Sequence, residues 1–92
     1  LIYPASAKWR EQSNTTLTLM DSTGAAIAAK NIEIPCSGSR LIYIEEFFGS
    51  DLFNLAGATC YVQVRDTSCR LFGYHGLING RGAFSLDHMF GF

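Results

Sequence analysis

His75, Asp87, His88 and Cys69 are the side chains in this 92-residue chain best suited to hold a metal ion, with Met89 as a further thioether ligand for copper. Their spacing argues against one centre, because no C-x-x-C or H-x-x-x-H pair occurs. If Asn79-Gly80 forms a two-residue hairpin loop, His75 and His88 share a face but stand four residues apart along it, about 13 Å at ~3.3 Å per residue. Two ligands of one zinc must converge within ~2 Å of the same ion. Asp87 then falls on the opposite face. Ser85-Leu86-Asp87-His88 holds the residue types of a hydrolase, but neighbours on a strand face opposite ways and cannot make an acid–His pair. No G-x-S-x-G elbow is present. Glu45 and Glu46 diverge if extended, so they set up no acid/base pair. Gly73, Gly76, Gly80 and Gly82 precede no helix and form no phosphate-binding loop. The sequence thus predicts no catalytic residue, no metal site and no cofactor. The alternative is a small metal- or ligand-binding enzyme domain using His75 and His88.

The elements that carry these residues fill the last third of the chain. Cys60 to Arg65, Cys69 to Ile78, and Ala83 to about Phe90 read as three consecutive antiparallel strands. Asn79-Gly80 is a strong hairpin signal, since a type I′ turn needs φ > 0 at both central residues. The register that follows pairs Ile78 with Arg81, His75 with Phe84, Gly73 with Leu86 and Leu71 with His88. One face would carry Leu71, Gly73, His75, Phe84, Leu86 and His88, and the other Phe72, Tyr74, Ser85 and Asp87. Both faces hold large apolar groups, so this hairpin is either covered on both sides or meets another chain. In the first strand, Cys60, Val62 and Val64 point one way and Tyr61, Gln63 and Arg65 the other, as in a half-buried strand.

Upstream, Leu1 to Tyr3 reads as a short edge strand ended by Pro4. A polar connection follows, in which Trp9 plugs the end of a core or offers a stacking platform. Thr15 to Met20 alternates strictly, with Leu17 and Leu19 inward. Asp21-Ser22-Thr23-Gly24 is a turn with Gly where φ > 0 is needed. The return strand, Ala25 to Ile34, changes apolar parity near Lys30-Asn31, as a β-bulge or a break would produce. Ser37-Gly38-Ser39 is a turn, and Arg40 to Ile44 a further strand. Ser50 caps a single helical turn over Asp51 to Leu55 that Gly57 closes. Phe47, Phe48, Leu52 and Phe53 are the core plug of this crossing. Asn14-Thr15-Thr16 is formally a glycosylation sequon that occurs often by chance.

Composition limits the function classes. Net charge is −1, which gives no electrostatic case for nucleic acid or an anionic membrane surface. Charged residues make up 16% of the chain, against roughly 25% in an ordinary soluble domain. That deficit points to an apolar exterior or a covered one. No run of about 18 apolar residues predicts a membrane span. With no leader sequence and no initiator Met, Leu1 is expected to begin a mature form or a fragment of a longer protein. Three cysteines, Cys36, Cys60 and Cys69, are an odd number. The expected register separates Cys60 from Cys69 beyond disulfide reach. Pairing of Cys36 with either remains open beside three reduced, buried thiols.

The stretch TLTLMDSTGAAIAAKNIEIPCSGSRLIYIEEFF, within residues 15–48, resembles the paired strands of bacterial immunoglobulin-like and fibronectin type III-like modules. There, a strand, a D-x-x-G turn and a longer strand ending in I-x-I-P lead through a Gly/Ser turn to another strand. The resemblance implies an accessory or interaction module without catalytic residues. The chain is therefore expected to be one all-β domain over residues 1–92, an antiparallel two-sheet β-sandwich of six or seven strands with one short helical turn. Its expected role is that of a non-enzymatic structural or protein-interaction module that self-associates or joins a larger assembly. The expected contact surface is Phe72, Tyr74, Met89, Phe90 and Phe92. The compartment and the partner are not encoded in any motif.

Overall fold

A computed structural model describes residues 1–4, 11–67, 71–78 and 80–88. Trp9, Cys69, Asn79, Met89, Phe90 and Phe92, on which several expectations rest, lie outside the described residues. The chain is mostly β, with two antiparallel sheets. The first sheet has β1 (Thr15–Met20) at its centre, between β2 (Ala26–Ile32) and β3 (Tyr61–Asp66). Helices α1 (Ile44–Phe48) and α2 (Ser50–Ala56) lie between β2 and β3 in the chain. The second sheet is the hairpin of β4 (Tyr74–Ile78) and β5 (Phe84–His88).

Alternation builds the first sheet. Thr15, Leu17 and Leu19 are buried, whereas Thr16 and Thr18 on the other face are only half-buried. Val64 pairs with Leu17 and Val62 with Leu19, so the apolar face of β3 joins that of β1. The core adds Tyr3, Ile32, Ile34, Phe48, Ala56 and Leu71. Asp21 ends β1 by accepting hydrogen bonds from the Thr23 and Ala25 amides, at 2.9 and 3.0 Å, and Gly24 takes φ 86° as its turn requires.

Several local expectations are corrected. The bulge exists, but it lies at the turn end of β2, not at Lys30-Asn31: Leu19 pairs with Ala28 and Met20 with Ala26, leaving Ile27 as the extra residue. The register carries Lys30 onto the core-facing side opposite Leu17. Its ammonium reaches out to donate to the Phe47 carbonyl at 2.7 Å, serving a C-terminal carbonyl of α1 that has no helical partner.

Arg40 to Ile44 does not form a strand; Ile44 opens α1. A strand would turn the adjacent Phe47 and Phe48 to opposite faces. The helix lets Phe48 bury and Phe47 pack against the core, with the rings edge-on at 5.0 Å and 88°. Glu45 and Glu46 sit in its first turn, where the helix dipole favours acids. There are thus two helices rather than one helical turn. The N-cap of α2 is Gly49 at φ 93°, not Ser50, and Gly57 closes the helix as expected.

Leu1 to Tyr3 is not an edge. Ile2 bridges Ser39 on one side and Phe72 on the other, exchanging two backbone hydrogen bonds with Phe72 at 2.8 and 3.0 Å. Among the described residues the three-stranded C-terminal meander is also absent: β3 pairs with β1, and β4 with β5 and no other strand. Burial explains the choice, because β3 gains the faces of Leu17 and Leu19 while Leu71 is drawn into the core.

Candidate functional site

The C-terminal hairpin has a different register from the expected one. Tyr74 pairs with His88, His75 with Asp87, Gly76 with Leu86, Leu77 with Ser85 and Ile78 with Phe84. The connecting loop therefore spans 79–83, five positions instead of two. Within this loop Gly82 adopts positive φ, at 82°. A second glycine two residues after Asn-Gly was the available signal for a longer loop.

The slip is an odd number of residues, so it exchanges faces. Tyr74, Ile78, Phe84 and Leu86 now stand together on one face. Phe84 and Leu86 were expected on the side opposite Tyr74. Gly76 faces Leu86, and a Cβ at Gly76 would collide with the Ser85 carbonyl oxygen. Every described residue from Tyr74 to Asp87 is exposed. The apolar ones are well out in solvent: Leu77 by 79%, Phe84 by 68%, Leu86 by 64% and Ile78 by 62%. Phe72, two residues before β4, is exposed and held by its bridge to Ile2, with Leu71 and Gly73 buried on either side. Phe72 and Tyr74 thus lie on the exposed surface, and Ile78, Phe84 and Leu86 join it where sequence reasoning missed them.

This arrangement is energetically incomplete. A two-stranded hairpin is marginal in water unless a third strand or a packed face supports it. Among the described residues no other strand pairs with β4 or β5. Monomeric proteins seldom expose an apolar patch of more than a few hundred Å² without a use for it.

The chemical candidates are rearranged too. His75 is the register partner of Asp87, not separated from it by the sheet, and Ser85 falls on the same face. His75 and His88 take positions of opposite parity, rather than sharing a face. His75, Ser85 and Asp87 are exposed on the open side of a hairpin, without the water-excluding walls that acyl transfer uses. Among the described residues no three His, Cys, Asp or Glu side chains group together as metal ligands do. Cys36 and Cys60 are half-buried and do not pair with each other. No described helix is long and apolar enough to cross a membrane.

The surface that stands out is thus an apolar hairpin face bordered by Phe72 and Tyr74. Comparison of the chain with protein families, with characterised proteins and with solved structures finds no match.

Proposed function

We propose that this chain is a non-enzymatic protein-interaction module that docks through the apolar face of the β4–β5 hairpin onto a protein partner or a second copy of itself. One observation carries the reading: Tyr74, Ile78, Phe84 and Leu86 share a face, and all four are at least half exposed. The low charge of the chain supports it, since association buries this face without desolvating many ions. An antiparallel two-sheet sandwich of six or seven strands, immunoglobulin-like, is the architecture we propose for the chain. The alternation of β1 and β3 and the two antiparallel sheets support that reading.

Light scattering on a sizing column across a dilution series tests the function. The expected result is a dimer or larger species that dissociates on dilution, and a monomer for Leu86→Asp. A hot-spot substitution of this kind weakens association by about 2 kcal/mol or more. A monomer at every concentration, with slowly exchanging Tyr74–Ile78 amides, would overturn the proposal, because the hairpin would then be stable without a partner.

A further inference from the structure

A second surface joins an extended segment to two cations. Leu41, Ile42 and Tyr43 read from sequence as part of a strand, and their burial still alternates as in one: Ile42 packs against the core while Leu41 and Tyr43 are exposed. Tyr43 has extended backbone, at φ −92° and ψ 116°. The neighbouring Arg40 amide pairs with the Leu1 carbonyl at 2.8 Å, but among the described residues the amides of Leu41, Ile42 and Tyr43 donate to no backbone acceptor. This is an extended segment whose three amides are unpaired among the described residues, its Tyr43 carbonyl being taken by the Phe47 amide at 2.8 Å, and open amides of this kind are what strand addition uses.

The same segment lines a depression of about 410 Å³ together with Lys30, Arg40 and Phe47. The Lys30 ammonium lies 5.2 Å from the centre of the Phe47 ring, and the Arg40 guanidinium 5.9 Å from it. Lys30 spends one donor on the Phe47 carbonyl, leaving two. Among the described residues the Arg40 side chain makes no ion pair or hydrogen bond. Glu46 also borders the depression, so its lining carries two cations to one carboxylate. Two like charges held at one ring favour an anion between them.

We infer that this depression binds an extended acidic peptide segment. The backbone of the segment adds as a strand to Leu41–Tyr43, and a carboxylate side chain settles against Lys30 and Arg40. Backbone pairing supplies affinity without regard to sequence, and the two cations supply the preference for an acid. The site does not depend on the hairpin or on the association proposed for it.

A blocked pentapeptide Thr-Val-Glu-Val-Thr, and its counterpart with Gln for Glu, test the inference by amide NMR titration of the full chain. The Glu peptide is expected to shift and saturate the Leu41, Ile42 and Tyr43 amides, and the Gln peptide to bind about tenfold more weakly. The double variant Lys30→Gln with Arg40→Gln is expected to bind both peptides alike. Equal binding of the two peptides by the parent chain would overturn the role of the cations. Unshifted Leu41–Tyr43 amides at about 1 mM peptide would overturn the site as a whole. Inorganic phosphate binding as tightly as the Glu peptide would reduce it to a simple anion site and overturn strand addition.

Discussion

The Thr15 hydroxyl donates to the Asp66 carboxylate across 2.6 Å, tying the start of β1 to the end of β3. Because that hydroxyl gives its proton to Asp66, it must accept from Ser13, whose Oγ is 2.8 Å away. Ser13 Oγ in turn accepts from the Ile34 amide at 3.0 Å. Ser13 and Thr15 are both buried, and this directional chain satisfies them where water cannot.

Thr15→Val keeps the shape and removes the relay. Ser13 loses its acceptor and Asp66 a charge-assisted donor, so the chain should lose about 1–3 kcal/mol of stability. Urea unfolding followed by circular dichroism measures this. A midpoint equal to that of the parent would mean the relay contributes nothing net.

Ser37 is the one described non-glycine residue with positive φ, at 64°. It occupies the third position of a turn closed by the Gly38 amide to the Pro35 carbonyl at 2.7 Å, a place that usually takes glycine. Ser37→Gly should relieve the left-handed strain and raise stability by about 0.5–1 kcal/mol, with the entropy of the freer unfolded chain offsetting part of the gain. The neighbouring change, Gly38→Ala, should do the reverse, since its Cβ would stand 2.8 Å from the Pro35 carbonyl oxygen. Melting temperatures of the two variants should move in opposite directions.

The Asp21 carboxyl titrates below its ordinary value. The Thr23 hydroxyl at 2.6 Å is the largest cause, followed by the Ala25 amide. A carboxylate whose folded-state value is depressed contributes stability above its unfolded value, and that contribution disappears as pH falls through the folded one. Thr23→Val should therefore raise the Asp21 midpoint toward that of a free aspartate, and flatten acid destabilisation in the same window. Carbon-detected NMR titration of Asp21 reads this directly; an unmoved midpoint would assign the shift to the backbone amides alone.

Gly76→Val should unpair the hairpin while sparing the first sheet, because any Cβ there meets the backbone of Ser85. Hydrogen exchange should accelerate at Tyr74–Ile78 and stay slow at Leu17 and Leu19. If association survives that change, docking does not run through β4–β5.

Local alternation made much of this architecture legible. Thr15–Met20 and its inward leucines, the Asp21–Gly24 turn, the outward Tyr61, Gln63 and Arg65, and the helix closed by Gly57 follow from period and turn chemistry alone. Partner choice did not, because it depends on burial between distant segments. Nothing near Val62 and Val64 indicates that they pair with Leu19 and Leu17 rather than with the next strand. The hairpin surface was half legible: Phe72 and Tyr74 follow from parity, but Phe84 and Leu86 change faces because the loop takes five residues. The convergence of Lys30 and Arg40 on Phe47 depends on α1 starting at Ile44, which a strand over Arg40–Ile44 hides.

The order β2-β1-β3 also dictates a sequence in time. β1 and β2 meet across a short turn, whereas β3 reaches the other edge of β1 only after roughly 40 intervening residues, helices included, have been looped out. The first pairing is entropically light and the second heavy, so closure of β3 onto β1 is expected to set the folding rate. Trimming Val62, which pairs with Leu19 in that closure, should then slow folding.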